Sequence, residues 1–263
     1  MAAPHVAWKR RVGRLFRIFS ARRPRSVVLI YHAVASGPAS LPLERFREQV
    51  AWLARNVEVV SIDGILAPAR AAGLRVALSF DDGYACLART VAPILRQAGM
   101  SATVFLNTAC ISDSGPIASD ASKGHTAGEE FLLWNEVDAL YRMGWTIGSH
   151  GADHVDLTQL PDPEIRRQLQ QSKAEIERRL GTECRHFAYT WGNHDRHVRA
   201  AVAQCGYESA FAGVHGAVQP SRDRYAISRI DVRADYELED FIAVVRGDWD
   251  YLGLIQQARR LLQ

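Results

Sequence analysis

Cysteine is scarce in this sequence and is never paired locally. No two cysteines lie within four residues of one another; they are Cys86, Cys110, Cys184 and Cys205. This spacing excludes a cysteine-based zinc site and a Cys-x-x-Cys redox pair. A disulfide scaffold is not expected either, because 263 residues are enough to bury a sizeable hydrophobic core. We therefore expect buried or free thiols in a reducing compartment.

The sequence also lacks a long hydrophobic run, a recognisable signal peptide and a strong net charge. No stretch approaches the roughly 20 apolar residues that a membrane-spanning helix needs. The first twenty residues are too interrupted by basic side chains to contain the apolar segment of a signal peptide, so we expect a cytoplasmic protein. The formal net charge of +3 is too small to indicate nucleic-acid binding.

Residues 1–24 are interpreted as a basic arm that precedes one domain over residues 25–263. Large apolar residues recur in the arm at helical spacing and fall on one stripe: Trp8, Val12, Leu15, Phe16 and Phe19. The opposite side of that helix carries arginines, namely Arg10, Arg14 and Arg17. The pattern is typical of a helix on an anionic membrane surface, with residues 5–20 in contact. The alternative is a helix that packs on the domain with its basic side in water.

Strands and helices alternate along the rest of the chain. Apolar runs predict strands at 27–31, 57–61, 74–80, 101–106, 145–149, 185–189, 208–211 and 227–232. Residues 107–130 lack periodicity and predict a long loop, a kind of segment that is often functional. The alternation indicates parallel βα units in a single α/β domain. Reactive residues directly follow the strands, which favours an irregular βα barrel over a doubly wound open sheet.

Two short motifs carry the residues expected to hold a divalent metal. The motif Ser-Phe-Asp-Asp-Gly places the adjacent carboxylates of Asp81 and Asp82 at the exit of a strand. The motif His-Gly-Ala-Asp-His supplies the imidazoles of His150 and His154 after another apolar run. One carboxylate and two imidazoles are a common ligand set for zinc, iron or cobalt that leaves positions open for water and substrate. The second carboxylate is then available to act as a base.

Both motifs resemble those of the polysaccharide deacetylase family, the NodB-type or carbohydrate esterase 4 group. The resemblance extends over about residues 27–232, with the two motifs in the family's order and at its separation. It implies a distorted βα barrel and metal-assisted hydrolysis of an N-acetyl group on an amino sugar. By this resemblance Asp82, His150 and His154 are the metal ligands and Asp81 is the catalytic base. It implies one divalent ion, with zinc as the first choice and cobalt, nickel and iron as alternatives.

The general acid is where the sequence departs from the common family pattern. Many members carry a Leu-x-x-His motif near the C-terminus, but no histidine follows residue 232 here. The run Leu-Ile-Tyr-His that ends at His32 resembles the same strand in a permuted order, as in a subgroup with a Tyr-His-x-Val motif. We therefore predict that His32 is the general acid. His215 is the alternative acid or a substrate contact.

The third family motif, Arg-x-Pro-Tyr-Gly or similar, is also altered. The corresponding stretch reads Phe-Ala-Tyr-Thr-Trp-Gly, with Ala188 in the position of the arginine. Its backbone is a candidate oxyanion donor, a role that depends little on side chains. Because Asp81 has lost its usual partner, we predict that Arg229 approaches from a neighbouring strand and orients it. Trp191 and Tyr189 are predicted to form an apolar wall for a sugar ring or an acetyl methyl group.

The leading hypothesis is a metal-dependent hydrolase that removes an N-acetyl or other acyl group from an amino sugar during synthesis of a cell-surface glycan. Without an export signal, a lipid- or nucleotide-linked saccharide at the inner membrane surface fits better than an extracellular polymer. One alternative is the same site acting on a small non-sugar amide or formyl group. Another is an inactive barrel that binds glycan, which the substitutions at Ala188 and Thr190 favour and the retained base opposes.

Overall fold

Strands and helices alternate in the part of the chain that the structure describes. This computed structural model describes residues 8–13, 24–35, 37, 40–68, 73–219 and 223–261. The strands are β1 (Arg25–Tyr31), β2 (Glu58–Val59), β3 (Leu74–Phe80), β4 (Thr103–Leu106), β5 (Thr146–Ser149), β6 (His186–Ala188), β7 (Ser209–Phe211) and β8 (Ile230–Asp231). The helices are α1 (8–13), α2 (Leu43–Asn56), α3 (Ile62–Leu66), α4 (Ala92–Gln97), α5 (Trp134–Arg142), α6 (Asp162–Leu180), α7 (Arg196–Gln204), α8 (Leu238–Arg246) and α9 (Tyr251–Leu261).

The sheet is parallel and curls into an irregular barrel. Its strand order is β7-β6-β5-β4-β3-β1-β8, and the short β2 pairs with β3. Ile227 forms a parallel bridge with Phe211 of β7, and Ile230 of β8 pairs with Leu29 of β1. The segment 227–231 therefore connects the two ends of the sheet. This architecture confirms the predicted irregular βα barrel in a single α/β domain.

Alternation along each strand divides the buried side chains into an inner and an outer cluster. The inner cluster fills the barrel and includes Val28, Ala77, Phe105, Ala188, Phe211 and Ile227. Residues between these positions, such as Val27, Leu29, Val76 and Leu78, belong to the larger cluster beneath the helices. Successive side chains of a strand point to opposite faces, so a strand buried on both faces needs a nearly continuous apolar run. This requirement explains the runs of β1 and β3.

The described part of the N-terminal arm packs on the domain. The guanidinium group of Arg10 forms two hydrogen bonds, of 2.6 and 2.7 Å, with the buried carboxylate of Asp240. The ammonium group of Lys9 lies over the rings of Tyr236 and Trp249. Two basic side chains of α1 thus contact the domain and are only partly exposed to water. The predictions for residues 1–7 and 14–23 lie outside the described residues.

The structure also bears on the cysteines and on membrane-spanning helices. All four cysteines are free thiols in the structure. Across the described ranges, no helix combines the length and the apolar character needed to cross a membrane.

Candidate metal and catalytic site

The two sequence motifs continue the inward-facing rows of the barrel beyond the ends of the strands. Ala77 of β3 lies in the inner cluster, and Asp81 has the same parity four residues later. Gly148 of β5 also faces inward, because a Cβ atom at this position would lie 2.5 Å from the ring of Phe105. His150 follows it at the next position of the same parity. The period of two along a strand therefore brings both motifs to the carboxyl end of one barrel.

Both motif histidines have a defined tautomer. Nδ1 of His150 lies 2.7 Å from the carbonyl oxygen of Ala188, and Nδ1 of His154 lies 2.8 Å from that of Lys123. Because a carbonyl oxygen only accepts hydrogen bonds, each Nδ1 carries the proton and each Nε2 offers a lone pair. Backbone carbonyls commonly orient metal-binding histidines in this way.

The two lone pairs are directed at one carboxylate. Oδ1 of Asp82 lies 3.3 Å from Nε2 of His154 and 3.7 Å from Nε2 of His150. Burial lowers the pKa of His150 even though the neighbouring Asp81 and Asp82 carboxylates raise it, so its ring is neutral at neutral pH. Donor atoms around a tetrahedral ion with bonds of about 2.1 Å are roughly 3.4 Å apart. Each of the two distances from Asp82 fits a pair of donor atoms that share a divalent metal, because facing acceptor atoms need a cation between them.

Backbone strain is concentrated at these residues. Asp82, His154 and Trp191 have φ values of 73°, 54° and 52°, in the left-handed region that non-glycine residues rarely adopt. Each such conformation costs on the order of 1–3 kcal/mol and persists only where the surrounding structure enforces it. Asp82 leaves the extended path of β3 at this point, which explains how its side chain approaches the histidines.

Asp81 is paired with a buried arginine. The guanidinium group of Arg229 donates two hydrogen bonds to the Asp81 carboxylate, of 2.7 and 2.9 Å, and a further bond of 3.3 Å to the carbonyl oxygen of Ala212. Both side chains are almost fully buried. Burial opposes ionisation of Asp81, but the charge of Arg229 and its hydrogen bonds outweigh it and lower the pKa of Asp81 to about 2. Arg229 thus occupies the position that the sequence analysis predicted, and its orienting role stays a prediction.

Two buried polar residues near Asp82 were missed by the sequence analysis. The side-chain amide of Asn107 donates a hydrogen bond of 3.2 Å to Oδ1 of Asp82. The hydroxyl oxygen of Tyr84 accepts a hydrogen bond of 2.7 Å from the backbone of Thr126. Asn107 directly follows β4, with the parity of an inward-facing phenylalanine two residues earlier. That parity is the signal that identifies it from sequence.

His125 is a third residue that the sequence analysis missed. It belongs to the long loop between β4 and α5, and its ring stacks on that of His154 with a centroid separation of 4.4 Å. Ligand atoms of Asp82, His125 and His154 all lie within 4.8 Å of one another. Burial and the neighbouring His154 lower the pKa of His125. A histidine in a loop without periodicity carries no local signal of its place in the fold.

His32 lies at the carboxyl end of the barrel strands. It is exposed and directly follows β1, whose last residue, Tyr31, accepts a hydrogen bond of 2.9 Å from the backbone of Asp81. His32 lines an open cleft of about 630 Å³ together with residues 231–235. The carboxyl ends of β1 and β3 are adjacent, so His32 stands at the same end of the barrel as the metal motif.

The two aromatic residues predicted to bind substrate have different surroundings. Trp191 is 53% exposed, and its ring lies 5.0 Å from that of His154. Tyr189 is fully buried, and its hydroxyl group donates a hydrogen bond to the carbonyl oxygen of Tyr225. The prediction that Tyr189 forms part of a substrate wall is therefore wrong, since no surface of its side chain reaches solvent.

His215 is not brought to this site. Its backbone amide donates to the side chain of Gln256, and its ring lies 3.8 Å from the carboxylate of Asp250. Asp250 pairs with Arg25, which begins β1 at the amino end of the parallel strands. Asp81 follows the carboxyl end of those strands. The structure therefore contradicts the prediction of His215 as an alternative acid or a substrate contact.

Comparison with solved structures agrees with the barrel. Among solved structures, the chain is similar to the deacetylase PplD of Streptococcus pyogenes in complex with acetate, with a TM-score of 0.71, 18% identity and coverage of 85% of this chain and 99% of the other. It is also similar to IcaB of Ammonifex degensii, with a TM-score of 0.71, 20% identity and coverage of 86% and 97%. At these identities, the likeness shows a shared fold.

Sequence comparison identifies the family. YxkH of Bacillus subtilis (strain 168), a protein named as a polysaccharide deacetylase, is 24% identical over 216 residues, covering 78% of this chain and 70% of YxkH. The family model described as polysaccharide deacetylase matches residues 70–210, more than half of the chain. That range contains both metal-site motifs, and the chain therefore belongs to the polysaccharide deacetylase family.

Proposed function

We propose that this protein is a metal-dependent hydrolase that removes the N-acetyl group from an amino sugar of a glycan or a glycan precursor. Membership of the family supports deacetylation of a glycan by this chain. The observation that carries the proposal is the convergence of the Nε2 lone pairs of His150 and His154 on the carboxylate of Asp82. The carboxylate of Asp81, which pairs with the guanidinium group of Arg229, belongs to the neighbouring residue.

Asp82, His150 and His154 are the residues that would hold the ion, and zinc is the first choice for two imidazoles and one carboxylate. Cobalt, nickel and iron accept the same donors. When bound, such an ion polarises the substrate carbonyl and lowers the pKa of water. Asn107 holds the carboxylate of Asp82 in place, and backbone carbonyls hold the two rings.

Asp81 and His32 are assigned to the two proton transfers. Asp81 is ionised at neutral pH, because its pKa is about 2, and its Oδ2 faces Nε2 of His150 at 4.0 Å. It accepts the proton of the attacking water, while Arg229 fixes the carboxylate in one orientation. His32 donates a proton to the departing amine nitrogen from the side of the cleft. The exposed indole of Trp191 offers an apolar face to the sugar ring.

The test is acetate release from N-acetylated amino-sugar oligomers, with metal content measured on the same samples. Asp81→Asn should retain metal and lose about a hundredfold or more in kcat, because the base is removed while the metal-binding side chains stay in place. Asp82→Asn should lose metal. Near-normal turnover by Asp81→Asn would exclude this assignment of roles. Turnover only on small formyl or non-sugar amides would favour the alternative substrate, and glycan binding without any turnover would favour an inactive barrel.

A lipid- or nucleotide-linked saccharide at the inner membrane surface remains our proposal for the physiological substrate, with the basic residues of the arm as its support. Deleting the arm is a poor test, because Arg10 neutralises the buried carboxylate of Asp240. Replacing the exposed Trp8 and Arg11 by Ala and Glu leaves that pair intact. Co-sedimentation with anionic liposomes should decrease in this double variant, and unchanged partitioning would exclude contact through α1.

A further inference from the structure

The mechanism above leaves one buried histidine at the site unused. His125 is 5% exposed, and neither of its ring nitrogens has a hydrogen-bond partner. Buried polar atoms are nearly always paired in native proteins, because an unpaired one loses its hydration without compensation. A ring nitrogen that ligates an ion is paired by that bond. The two unpaired nitrogens of His125 therefore point to a ligand.

The loop that carries His125 is attached to both metal motifs. Phe131 forms an antiparallel bridge with Tyr84, two residues after Asp82. The backbone amide of Thr126, next to His125, donates to the hydroxyl group of Tyr84. On the other side of His125, the carbonyl oxygen of Lys123 accepts the Nδ1 proton of His154. These attachments hold the His125 ring against His154 rather than in solvent.

We propose that His125 is a fourth protein ligand of the metal ion, in addition to Asp82, His150 and His154. Ligand atoms of Asp82, His125 and His154 lie within 4.8 Å of one another, a spacing that a small movement of the rings on binding can close around one ion. Imidazole suits zinc, iron, cobalt and nickel alike. The inference rests on the proposed function, because the ion is itself part of that proposal.

A fourth protein ligand would change the number of coordination positions that are open to the substrate. Catalytic zinc sites usually have three protein ligands and sometimes expand to five-coordination during reaction. With His125 as a ligand, four side chains would hold the ion, and fewer positions would be left for water or the substrate carbonyl. The long loop then contributes directly to metal affinity.

Packing alone is the competing explanation for the position of His125. Its ring stacks on His154 and meets the edge of Phe131, with centroid separations of 4.4 and 4.9 Å. Phenylalanine in this position keeps an aromatic ring for both contacts and removes both nitrogens. His125→Phe therefore separates ligation from packing. His197, an exposed histidine at the start of α7, is the matched control.

The experiment measures zinc and cobalt affinity of the full-length apoprotein by competition with a chelator. X-ray absorption then counts the imidazole ligands of the zinc-loaded protein. His125→Phe should weaken binding about tenfold or more, by analogy with the 10–100-fold loss seen when residues supporting a metal ligand are removed. Its imidazole count should fall by one, and its apoprotein should melt no lower than wild type. His197→Phe should match wild type in every measurement.

Wild-type affinity and imidazole count in His125→Phe would overturn the proposal. If that variant does not fold, His125→Ala is measured in the same way with the same criteria. Asp82→Asn separates this failure from that of the proposed function. If Asp82→Asn loses metal while His125→Phe retains it fully, only the proposal of a fourth ligand is refuted. If the wild-type protein binds no metal, both proposals are refuted.

Discussion

Replacing Arg229 by Met should destabilise the protein strongly, because it leaves the buried carboxylate of Asp81 without its cation. The side chains of Arg229 and Asp81 are 1% and 5% exposed, respectively, and form a two-hydrogen-bond pair. Arg229 also donates to Ser79 and to the backbone of Ala212. Met has a similar length and no charge, so it preserves much of the packing and removes all four hydrogen bonds.

Two independent arguments give the magnitude. The difference between the ordinary Asp pKa of 3.8 and the value of about 2 for Asp81 corresponds to ~2.5 kcal/mol, at about 1.4 kcal/mol for each tenfold change in proton affinity. Removal of one partner from a buried ion pair typically costs 3–5 kcal/mol, because the other charge stays buried. We expect Arg229→Met to lower the free energy of unfolding by about 2.5–5 kcal/mol at pH 7.

The effect should depend on pH in a defined direction. In the wild type, the folded-state pKa of Asp81 lies below the unfolded value of ~3.9, so its contribution to stability is complete above that pH and is lost as the pH falls through about 2. In Arg229→Met, burial acts without the arginine and raises the pKa of Asp81 above its ordinary value. The free energy of unfolding of the variant therefore decreases as the pH rises. The difference from wild type should be larger at pH 7 than at pH 5.

Urea denaturation of the apoprotein at pH 5 and pH 7, with a chelator present, measures these quantities. The double variant Asp81→Asn/Arg229→Met should be more stable than Arg229→Met alone, because it contains no unpaired buried charge. Arg199→Met is the matched control, since it breaks the partly exposed pair of Arg199 with Asp223 and should cost at most about 1 kcal/mol. A loss below about 1 kcal/mol for Arg229→Met at pH 7, or an equal loss at both pH values, would refute the reasoning.

Three further predictions concern other residues of the fold. His32→Ala should slow acetate release by about 10²–10⁴-fold with unchanged metal content; a metal-free variant would instead make His32 a ligand. Trp191→Ala should raise KM about 3–10-fold, the equivalent of one aromatic contact, with little change in melting temperature because the side chain is half exposed; an unchanged KM would exclude the platform role. Burial lowers the pKa of His215 to about 4, so the unfolded chain, with a pKa of ~6.5, binds more protons between these values and stability falls as the pH falls. His215→Asn should reduce this loss between pH 7 and pH 5 by roughly 2 kcal/mol in urea denaturation, and an identical pH profile would contradict the burial effect.

The barrel and the grouping of the two motifs were predictable, because both depend on local periodicity. Apolar runs located β1 and β3 to within two residues, and parallel strands place their carboxyl ends on one side of a barrel. Asp81, Asp82, His150 and His154 each follow such a run, so their convergence needed only the fold class. The prediction for Tyr189 was wrong because it used only local information, namely the position of this residue at a strand end. The burial of its ring depends on a distant contact, the hydrogen bond from its hydroxyl group to the carbonyl oxygen of Tyr225.

The sequence by itself determined the order of the strands along the chain, the family and the chemical types of the donor groups, because these are recorded in residues that are close together in the chain. Only the tertiary structure decided which distant groups meet. Arg229 reaches Asp81 across 148 positions because the segment 227–231 connects the two ends of the sheet. His125 lies against His154 because the loop is attached to Tyr84. Aspartate tolerates the left-handed conformation better than most residues, but the strained conformation of Asp82 persists only because the surrounding structure holds it.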